Sequence, residues 1–275
     1  MVEKGYNREQ KRVDEYFDAQ SAFWQHTYQQ RNALGVINRQ RQTSALKYVD
    51  ELALPKNSHV LEIGCGAGFL AIALAKRGFV VEAVDHAPAM IELTRMHARQ
   101  VDMDNKIRAA IEDVHQLSYE DKLFDLVVSL GMINWLYDLR KALGEIERVL
   151  KPGGYAVLNS ARAHALLNPL AIPALESFLE KLKHRFQSAD PRKSRSIAPS
   201  HMYLPAEINR YLREANLRVI KSTNVGFGPF KILNHNMFSQ NVEARIQVKL
   251  QRWADGRLTF LQRAAGQYIV LLRKR

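Results

Sequence analysis

The chain has 275 residues, a formal net charge of +12 and a mean hydropathy of −0.29. That length suits one α/β domain with additions, and no apolar run approaches the roughly 18 residues that a membrane-spanning helix needs. The single cysteine, Cys65, excludes an intrachain disulfide and a cysteine-based zinc cluster. The polar N-terminal segment does not resemble a signal peptide, so we expect a cytoplasmic location.

The excess positive charge lies in the last third of the chain. Residues 1–180 contain 21 Lys and Arg against 23 Asp and Glu, whereas residues 181–275 contain 19 against 5. A basic region of this kind can steer an anionic small molecule, lie on an anionic membrane or bind RNA phosphates. It can equally be a solvated surface without a partner.

The N-terminal region predicts helices that pack on a core. Residues 11–31 carry many aromatic side chains for a free tail, namely Tyr16, Phe17, Phe23, Trp24 and Tyr28. An amphipathic helix is predicted over residues 36–52. On that helix we expect Arg39 and Arg41 to be solvated; the alternative is that one of them reaches the carboxylate of a bound ligand.

The segment 59–70 predicts a buried parallel strand, a glycine turn and the start of a helix. The turn has the pattern G-x-G-x-G, formed by Gly64, Gly66 and Gly68. Glycines at these positions allow a sharp bend and let a ligand lie against main-chain N–H groups. In the strand, Glu62 would repel a phosphate and suits a cationic group such as an ammonium better.

Further predicted strands follow in an order that places polar side chains at their ends. The second strand ends in Asp85, where a carboxylate can accept hydrogen bonds from the hydroxyl groups of a ribose. Glu112 and Asp113 close the third strand, residues 124–129 form the fourth, and a Lys-Pro-Gly-Gly turn leads to the fifth at 155–159. Residues 217–225 and 266–273 predict the sixth and seventh strands.

As an ordered set, these motifs over residues 58–160 resemble the class I S-adenosylmethionine-dependent methyltransferases, of the small-molecule type found in ubiquinone and menaquinone biosynthesis. The resemblance implies an α/β fold with a Rossmann-like seven-stranded sheet, an antiparallel last strand, helices on both faces and helical cap insertions. It implies S-adenosyl-L-methionine as cofactor, with S-adenosyl-L-homocysteine as product and no metal. The implied reaction is in-line displacement of a methyl group onto O or N of a small-molecule acceptor, anionic or aromatic.

The resemblance also implies a set of cofactor-binding residues. They are Tyr16, Glu62, Gly64, Cys65, Gly66, Asp85, His86, Met90, Glu112, Asp113, Val114, Ser129 and Leu130. An oxygen acceptor usually needs a general base near neutral pH, and no residue is singled out for that role. The candidates for a catalytic contact are His26, Tyr28, Asn134, His164, His201 and His235.

We expect two parts in the chain. Residues 1–57 form a helical segment that covers the cofactor site, and residues 58–275 form the core with cap insertions at about 163–204 and 226–264. The second insertion predicts a helix over 242–253, with Ile246, Leu250 and Trp253 on an apolar face and bases on another. Its aromatic residues, interleaved with charge, favour an enclosed acceptor pocket.

Two nucleic-acid chemistries are excluded. The Asn/Asp-Pro-Pro-aromatic sequence typical of exocyclic-amine methylation is absent after the fourth strand, where the chain reads 129–135 as Ser-Leu-Gly-Met-Ile-Asn-Trp. Methylation at C5 of cytosine needs a cysteine nucleophile, and Cys65 lies in the glycine turn. The alternatives that stay open are a membrane lipid or quinone acceptor, an RNA acceptor bound by the basic third, and a non-catalytic cofactor-binding protein.

Overall fold

The computed structural model describes residues 2–27, 30, 32–161, 200–228, 230–232, 235–256 and 258–275, with the backbone alone for 2–9, 21–22, 231–232 and 235–236. The predicted insertion at 163–204 therefore lies almost entirely outside the described residues. The same holds for two of the catalytic candidates, Tyr28 and His164, and for the side chain of His235.

The helices of the described chain are α1 (Val2–Ala19), α2 (Ser21–Thr27), α3 (Ala33–Glu51), α4 (Phe69–Ala75), α5 (Pro88–Gln100), α6 (Leu139–Val149), α7 (Pro205–Glu214) and α8 (Gln240–Asp255), with short 3₁₀ helices at Ile133–Trp135 and Thr259–Ala264. The strands are β1 (His59–Ile63), β2 (Val80–Asp85), β3 (Ile107–Ile111), β4 (Phe124–Ser129), β5 (Leu150–Ala161), β6 (Leu217–Val225), β7 (Lys231–Ile232), β8 (His235–Asn236) and β9 (Gln267–Lys274).

Seven strands form one sheet in the order β3-β2-β1-β4-β5-β9-β6. β9 runs antiparallel to both of its neighbours, whereas β1 to β5 pair in parallel. This arrangement confirms the predicted fold class and the antiparallel last strand. β5 is longer than predicted and begins at Leu150, because Leu150 already pairs with Phe124 before the register shifts across the glycine turn.

Two apolar layers, one on each face of the sheet, form the core. Leu61 and Val127 belong to the layer beneath α6 and α7, and Val60 and Val128 belong to the layer beneath α3, α4 and α5. Successive residues of a strand point to opposite faces, so strands covered on both sides are apolar along their whole length. That covering leaves the ends of the strands as the place where polar side chains can meet a ligand.

The carboxyl edge of the sheet, where β1, β2, β4, β5 and β6 end, carries the polar residues predicted for the site. The N-terminal helices approach this edge: α1 contacts α5, and α3 packs on β5, β6 and β9. None of the described helices is long and apolar enough to span a membrane.

Lys274 and Lys221 each form an ion pair with a glutamate, but they differ in burial. Comparing them tests whether the buried lysine stabilises the end of the sheet opposite the carboxyl edge. Lys274 is 8% exposed, and its Nζ donates to the carbonyls of Glu147 at 2.6 Å and Leu150 at 2.9 Å. We expect Lys274→Met to lower the free energy of unfolding by about 2–3 kcal/mol, because buried carbonyls lose their donor. Urea denaturation measures this loss.

The control is Lys221→Met, since Lys221 pairs with Glu51 at 2.8 Å but its side chain is 55% exposed. An exposed ion pair contributes less than about 1 kcal/mol. Equal losses of unfolding free energy in the two variants would contradict the conclusion that the buried hydrogen bonds of Lys274 stabilise the fold.

Candidate functional site

The glycine turn after β1 is held by backbone hydrogen bonds. The N–H groups of Gly64 and Cys65 donate to the carbonyl of Val84 at 2.8 and 3.0 Å. Gly66 has φ of +53°, and a Cβ atom built there would meet no atom within 4 Å. At Gly68, by contrast, a Cβ atom would lie 2.9 Å from the side chain of Thr94. The turn therefore presents open space at Gly66 and tight packing behind it.

Asp85, at the end of β2, connects this turn to the next one. Its carboxylate accepts from the N–H of Gly66 at 2.9 Å and from the N–H of Ala87 at 3.0 Å. Burial raises the pKa of Asp85, and these two hydrogen bonds act against that rise. Each carboxylate oxygen has a second acceptor position, so Asp85 could bind ligand hydroxyls while holding the turn.

Glu62 in β1 is a buried carboxyl group that lacks a full set of partners. It is 3% exposed, and its Oε2 atom has no hydrogen-bond partner within the described chain. Burial raises the pKa of Glu62 well above its usual value, and the charge of Asp85 raises it further. A cationic group beside Oε2 would supply the missing partner and lower that pKa. These residues fit a nucleoside linked to an amino acid.

Several other predicted cofactor residues make hydrogen bonds that hold the site together. Ser129 is fully buried and donates to the carbonyl of Ile63 at 2.9 Å, which ties β4 to β1. Glu112 accepts from the N–H of Ser118 at 3.1 Å. Asp113 accepts from the N–H of His115 at 2.9 Å and lies 2.7 Å from its ring Nδ1.

The apolar members of the predicted set differ in exposure. Met90 and Val114 are 1% and 7% exposed, and Leu130 is half-buried. Burial raises the pKa of the Cys65 thiol well above its usual value, and Thr94 lies 3.5 Å from its sulfur. Cys65 is therefore a thiol that packs behind the turn.

Helix α1 docks on the carboxyl edge through aromatic rings and one ion pair. The ring of Tyr16 stacks on Trp135 with centroids 5.7 Å apart, and Phe17 meets the same indole edge-on at 5.3 Å. Asp14 lies 2.8 Å from Nδ1 of His86, which follows β2. Two of the predicted cofactor residues thus take part in the docking of α1: Tyr16 from the helix and His86 from the core.

Arg41 on α3 reaches the same edge, so the expectation that Arg39 and Arg41 are solvated is wrong. Arg41 is half-buried, and its Nη1 would lie 2.6 Å from a Cβ atom built on Gly131, which follows β4. Arg39 is also half-buried and donates to the carbonyl of Gln30 at 2.7 Å. The sequence could have indicated the burial of Arg41, because Arg41 lies one turn before Ala45, on the face of α3 that packs on the sheet.

The side-chain amide of Asn134, predicted as a polar contact near the reaction, forms hydrogen bonds with the backbone. Its Nδ2 donates to the carbonyls of Ala161 at 3.1 Å and His201 at 2.6 Å, and its Oδ1 accepts from Ala161 N at 2.7 Å. The residue positions the end of β5 and the segment at His201. Both amide protons are committed there.

Two of the histidine candidates for a general base have described side chains. The side chains of His26 and His201 are exposed. Within the described ranges, no group of three or more His, Cys, Asp or Glu residues is arranged to hold a metal ion.

Comparison with known proteins agrees with this geometry. Residues 61–158 match a family model described as a methyltransferase domain. A ubiquinone biosynthesis O-methyltransferase from Xylella fastidiosa is 26% identical over 235 residues, covering 84% of this chain and 86% of the relative. One from Coxiella burnetii is 24% identical over 189 residues, covering 68% and 74%.

Solved structures share the fold. A magnesium protoporphyrin IX methyltransferase from Synechocystis, with bound S-adenosylhomocysteine, has a TM-score of 0.64 at 16% identity and covers 96% of this chain and 98% of its own. A putative methyltransferase from Haloferax volcanii, in complex with an activator protein, has a TM-score of 0.62 at 18% identity, covering 95% and 96%.

The sheet order, the glycine turn and the matched domain define the class of protein: a class I S-adenosylmethionine-dependent methyltransferase. Within that class, the chain is an enzyme of the small-molecule type.

The contact between Asp14 and His86 makes the docking of α1 depend on pH. The hydrogen bond to Asp14 is the main cause that raises the pKa of His86 in the folded protein. This stabilisation is fully present below the unfolded pKa of about 6.5 and is lost as pH rises through the higher folded value. We expect the amides of α1 to lose protection from hydrogen exchange, relative to the sheet, as pH rises through that value.

Asp14→Asn removes the charge that favours protonated His86, so its α1 protection should lack this step. Glu15→Gln is the matched control, because Glu15 is exposed and lies 3.9 Å from Lys11 without contacting His86. An unchanged step in Asp14→Asn would rule out this pair as its source.

Proposed function

We propose that the protein transfers a methyl group to an oxygen or nitrogen atom of a small-molecule acceptor, with S-adenosyl-L-methionine bound at the glycine turn. The observation that carries the proposal is the pair of carboxyl groups at the turn, Asp85 half-buried and Glu62 buried. Asp85 holds the N–H of Gly66 and keeps acceptor capacity, and Glu62 presents a buried oxygen without a partner in the described chain. A ribose and an ammonium group complement these two positions.

The remaining contacts of the cofactor follow from position. Asp113 lies after β3, where it would meet the adenine; His86 after β2 and Tyr16 on α1 are the other contacts proposed for the nucleoside. Arg41, close to Gly131, would bind the carboxylate of the amino-acid part. In this arrangement Glu62 and Arg41 would pair with the two ionic ends of one amino acid.

The cofactor, when bound, supplies a methyl group already activated by a sulfonium centre. The chain then has to align the acceptor and exclude water, which can account for much of the rate. Docking of α1 on Trp135 and of α3 on Gly131 covers the carboxyl edge in the way this requires. The relatives described as ubiquinone biosynthesis O-methyltransferases favour an oxygen acceptor. The general base for such an acceptor is unassigned.

Calorimetric titration with S-adenosylhomocysteine tests the nucleoside site. We expect wild type to bind and Asp85→Ala to bind at least tenfold more weakly, a loss of about 1.4 kcal/mol, because the ribose loses its acceptor. Asp121→Ala is the control, since Asp121 is exposed and pairs with Arg148 at 2.7 Å. Well-folded wild type that does not bind would overturn the proposal, and binding without turnover on any acceptor would favour a non-catalytic protein.

A second candidate function, transfer to an acceptor held in a membrane, is favoured by the outer face of α8. Trp253, which was predicted to share an apolar face with Ile246 and Leu250, is 45% exposed. The solvent face of α8 carries apolar and basic side chains together: Val242, Arg245, Val248, Lys249, Arg252 and Trp253. Met237, Phe238 and Phe260 are also exposed nearby, whereas Phe227, another aromatic residue of this insertion, is buried. Apolar and cationic groups on one helical face suit the interface of an anionic bilayer.

Co-sedimentation with vesicles tests this second function. We expect binding to phosphatidylglycerol vesicles and little binding to phosphatidylcholine vesicles, because the bases need anionic headgroups. Trp253→Ser should reduce binding, whereas Ile220→Ser, which removes an exposed apolar residue on β6, should not. Equal binding by both variants, or salt-sensitive binding to RNA in place of vesicles, would contradict a membrane role.

A further inference from the structure

Helix α5 contacts the glycine turn after β1 through the side chain of Thr94. This residue is fully buried, and its hydroxyl donates to the carbonyl of Gly66 at 2.8 Å. A Cβ atom built on Gly68 would lie 2.9 Å from both Oγ1 and Cγ2 of Thr94. One side chain of α5 thus contacts both the middle and the end of the turn.

The next turn of α5 makes a second contact of the same kind. His97 lies three residues after Thr94 and therefore on the same face of the helix. Its ring Nδ1 is 2.8 Å from the carbonyl of Ala67, and because a carbonyl oxygen can only accept, Nδ1 carries the proton. The ring also stacks on Phe69, with centroids 5.2 Å apart. Two consecutive carbonyls of the turn are therefore bound by α5.

The thiol of Cys65 extends the hydrogen bond of Thr94. Its sulfur lies 3.5 Å from Oγ1 of Thr94 and 3.8 Å from the carbonyl oxygen of Gly66. The hydroxyl of Thr94 has one proton, which it donates to Gly66, so the S–H group is the donor towards Oγ1. Burial raises the pKa of the Cys65 thiol well above its usual value, which keeps the proton on the sulfur. A chain of hydrogen bonds thus runs from the thiol through the hydroxyl to the backbone.

This chain fixes the peptide group that follows Gly66. A glycine rotates freely about its two backbone bonds, so each neighbouring peptide group needs its own anchor. Asp85 binds the N–H of Gly66 at 2.9 Å and holds the peptide group before it. Thr94 binds the carbonyl of Gly66 and holds the peptide group after it. Because the C=O and N–H of a trans peptide point in opposite directions, the N–H of Ala67 is directed away from Thr94.

An unfixed turn would bind a ligand less tightly. The apparent affinity of a ligand falls in proportion to the fraction of protein in the binding-competent conformation, and a pre-organised site avoids the cost of ordering. Asp85 belongs to the proposed ribose site. Thr94 is 0% exposed and does not reach the surface on which a ligand would lie, so it can act on a ligand only through the turn.

We propose that Thr94 is a positioning residue for the cofactor. Its hydroxyl, with the thiol of Cys65 behind it, holds the Gly66 peptide in the orientation that binds the nucleoside. This inference rests on the proposed function, because it takes the glycine turn as the place where S-adenosyl-L-methionine binds. It adds a residue of α5 that acts on the cofactor without contacting it.

The first test is spectroscopic and does not depend on a bound cofactor. The chain has one cysteine, so the S–H stretching band of the infrared spectrum belongs to Cys65 alone. Donation of this proton to an oxygen atom lowers the frequency of the band. Thr94→Val removes the oxygen at 3.5 Å and leaves only the Gly66 carbonyl at 3.8 Å, so the band should move to higher frequency. Thr94→Ser should leave it in place, and an unmoved band in Thr94→Val would overturn the proposal.

The second test is calorimetric titration with S-adenosylhomocysteine. We expect Thr94→Val to bind about fivefold more weakly than wild type, the effect of losing one hydrogen bond. Thr94→Ser should bind as wild type does, because it keeps the hydroxyl. If valine prevents folding, Thr94→Ala takes its place in both tests. Equal affinities of folded Thr94→Val and wild type, or an equal loss in Thr94→Ser and Thr94→Val, would overturn the proposal.

Ser58→Ala is the matched control for a merely structural effect. Ser58 is 8% exposed, and its hydroxyl donates to the carbonyl of Pro55 at 2.7 Å, just before β1 and away from the turn. Its melting temperature should fall as that of Thr94→Val does, while its affinity for S-adenosylhomocysteine stays that of wild type. An equal loss of affinity in Ser58→Ala would overturn the positioning role. Failure of wild type to bind S-adenosylhomocysteine would instead refute the proposed function, and the infrared test would still decide whether the thiol and hydroxyl form the chain.

Discussion

The structure of this site depends on one hydrogen bond, from the N–H of Gly66 to the carboxylate of Asp85. It joins the turn after β1 to the end of β2 at 2.9 Å. Without it the half-buried carboxylate would lose a donor that offsets its desolvation, and the open space at Gly66 would lose one wall. Glu62 lies beside it; burial raises the pKa of Glu62 well above its usual value, and the charge of Asp85 raises it further. The turn thus concentrates negative potential at the place where a cationic ligand group would bind.

The N-terminal helices bring charged groups of both signs to this edge of the sheet. His86 takes Asp14 from α1 as its partner, and Arg41 brings a guanidinium from α3 to Gly131. Both contacts lie between helices of the first fifty residues and strand ends of the core. Asn134 adds a third constraint by holding the end of β5 to the segment at His201. The carboxyl edge is therefore assembled from distant parts of the chain.

The two faces of helix α8 differ in composition and in exposure. Its inner face carries amides and one carboxylate, and its outer face carries Trp253, two valines and three bases. The bases of the outer face belong to the basic excess of the last third of the chain.

The sequence by itself determined the succession of core strands along the chain, the glycine turn, and the carboxyl groups of Glu62 and Asp85 near it. These features are local: a strand followed by glycines, or a strand that ends in an acid, occupies a few consecutive residues, and sheet geometry brings such ends together. Only the tertiary structure decided that Arg41 is half-buried, that Asn134 serves the backbone and that α8 turns Trp253 outward. Each of these depends on contacts between residues far apart in the chain, and helical periodicity defines faces without saying which face meets the core. For α8, the N–H groups of Gly226 and Phe230 required acceptors, and that requirement turned the polar face inward.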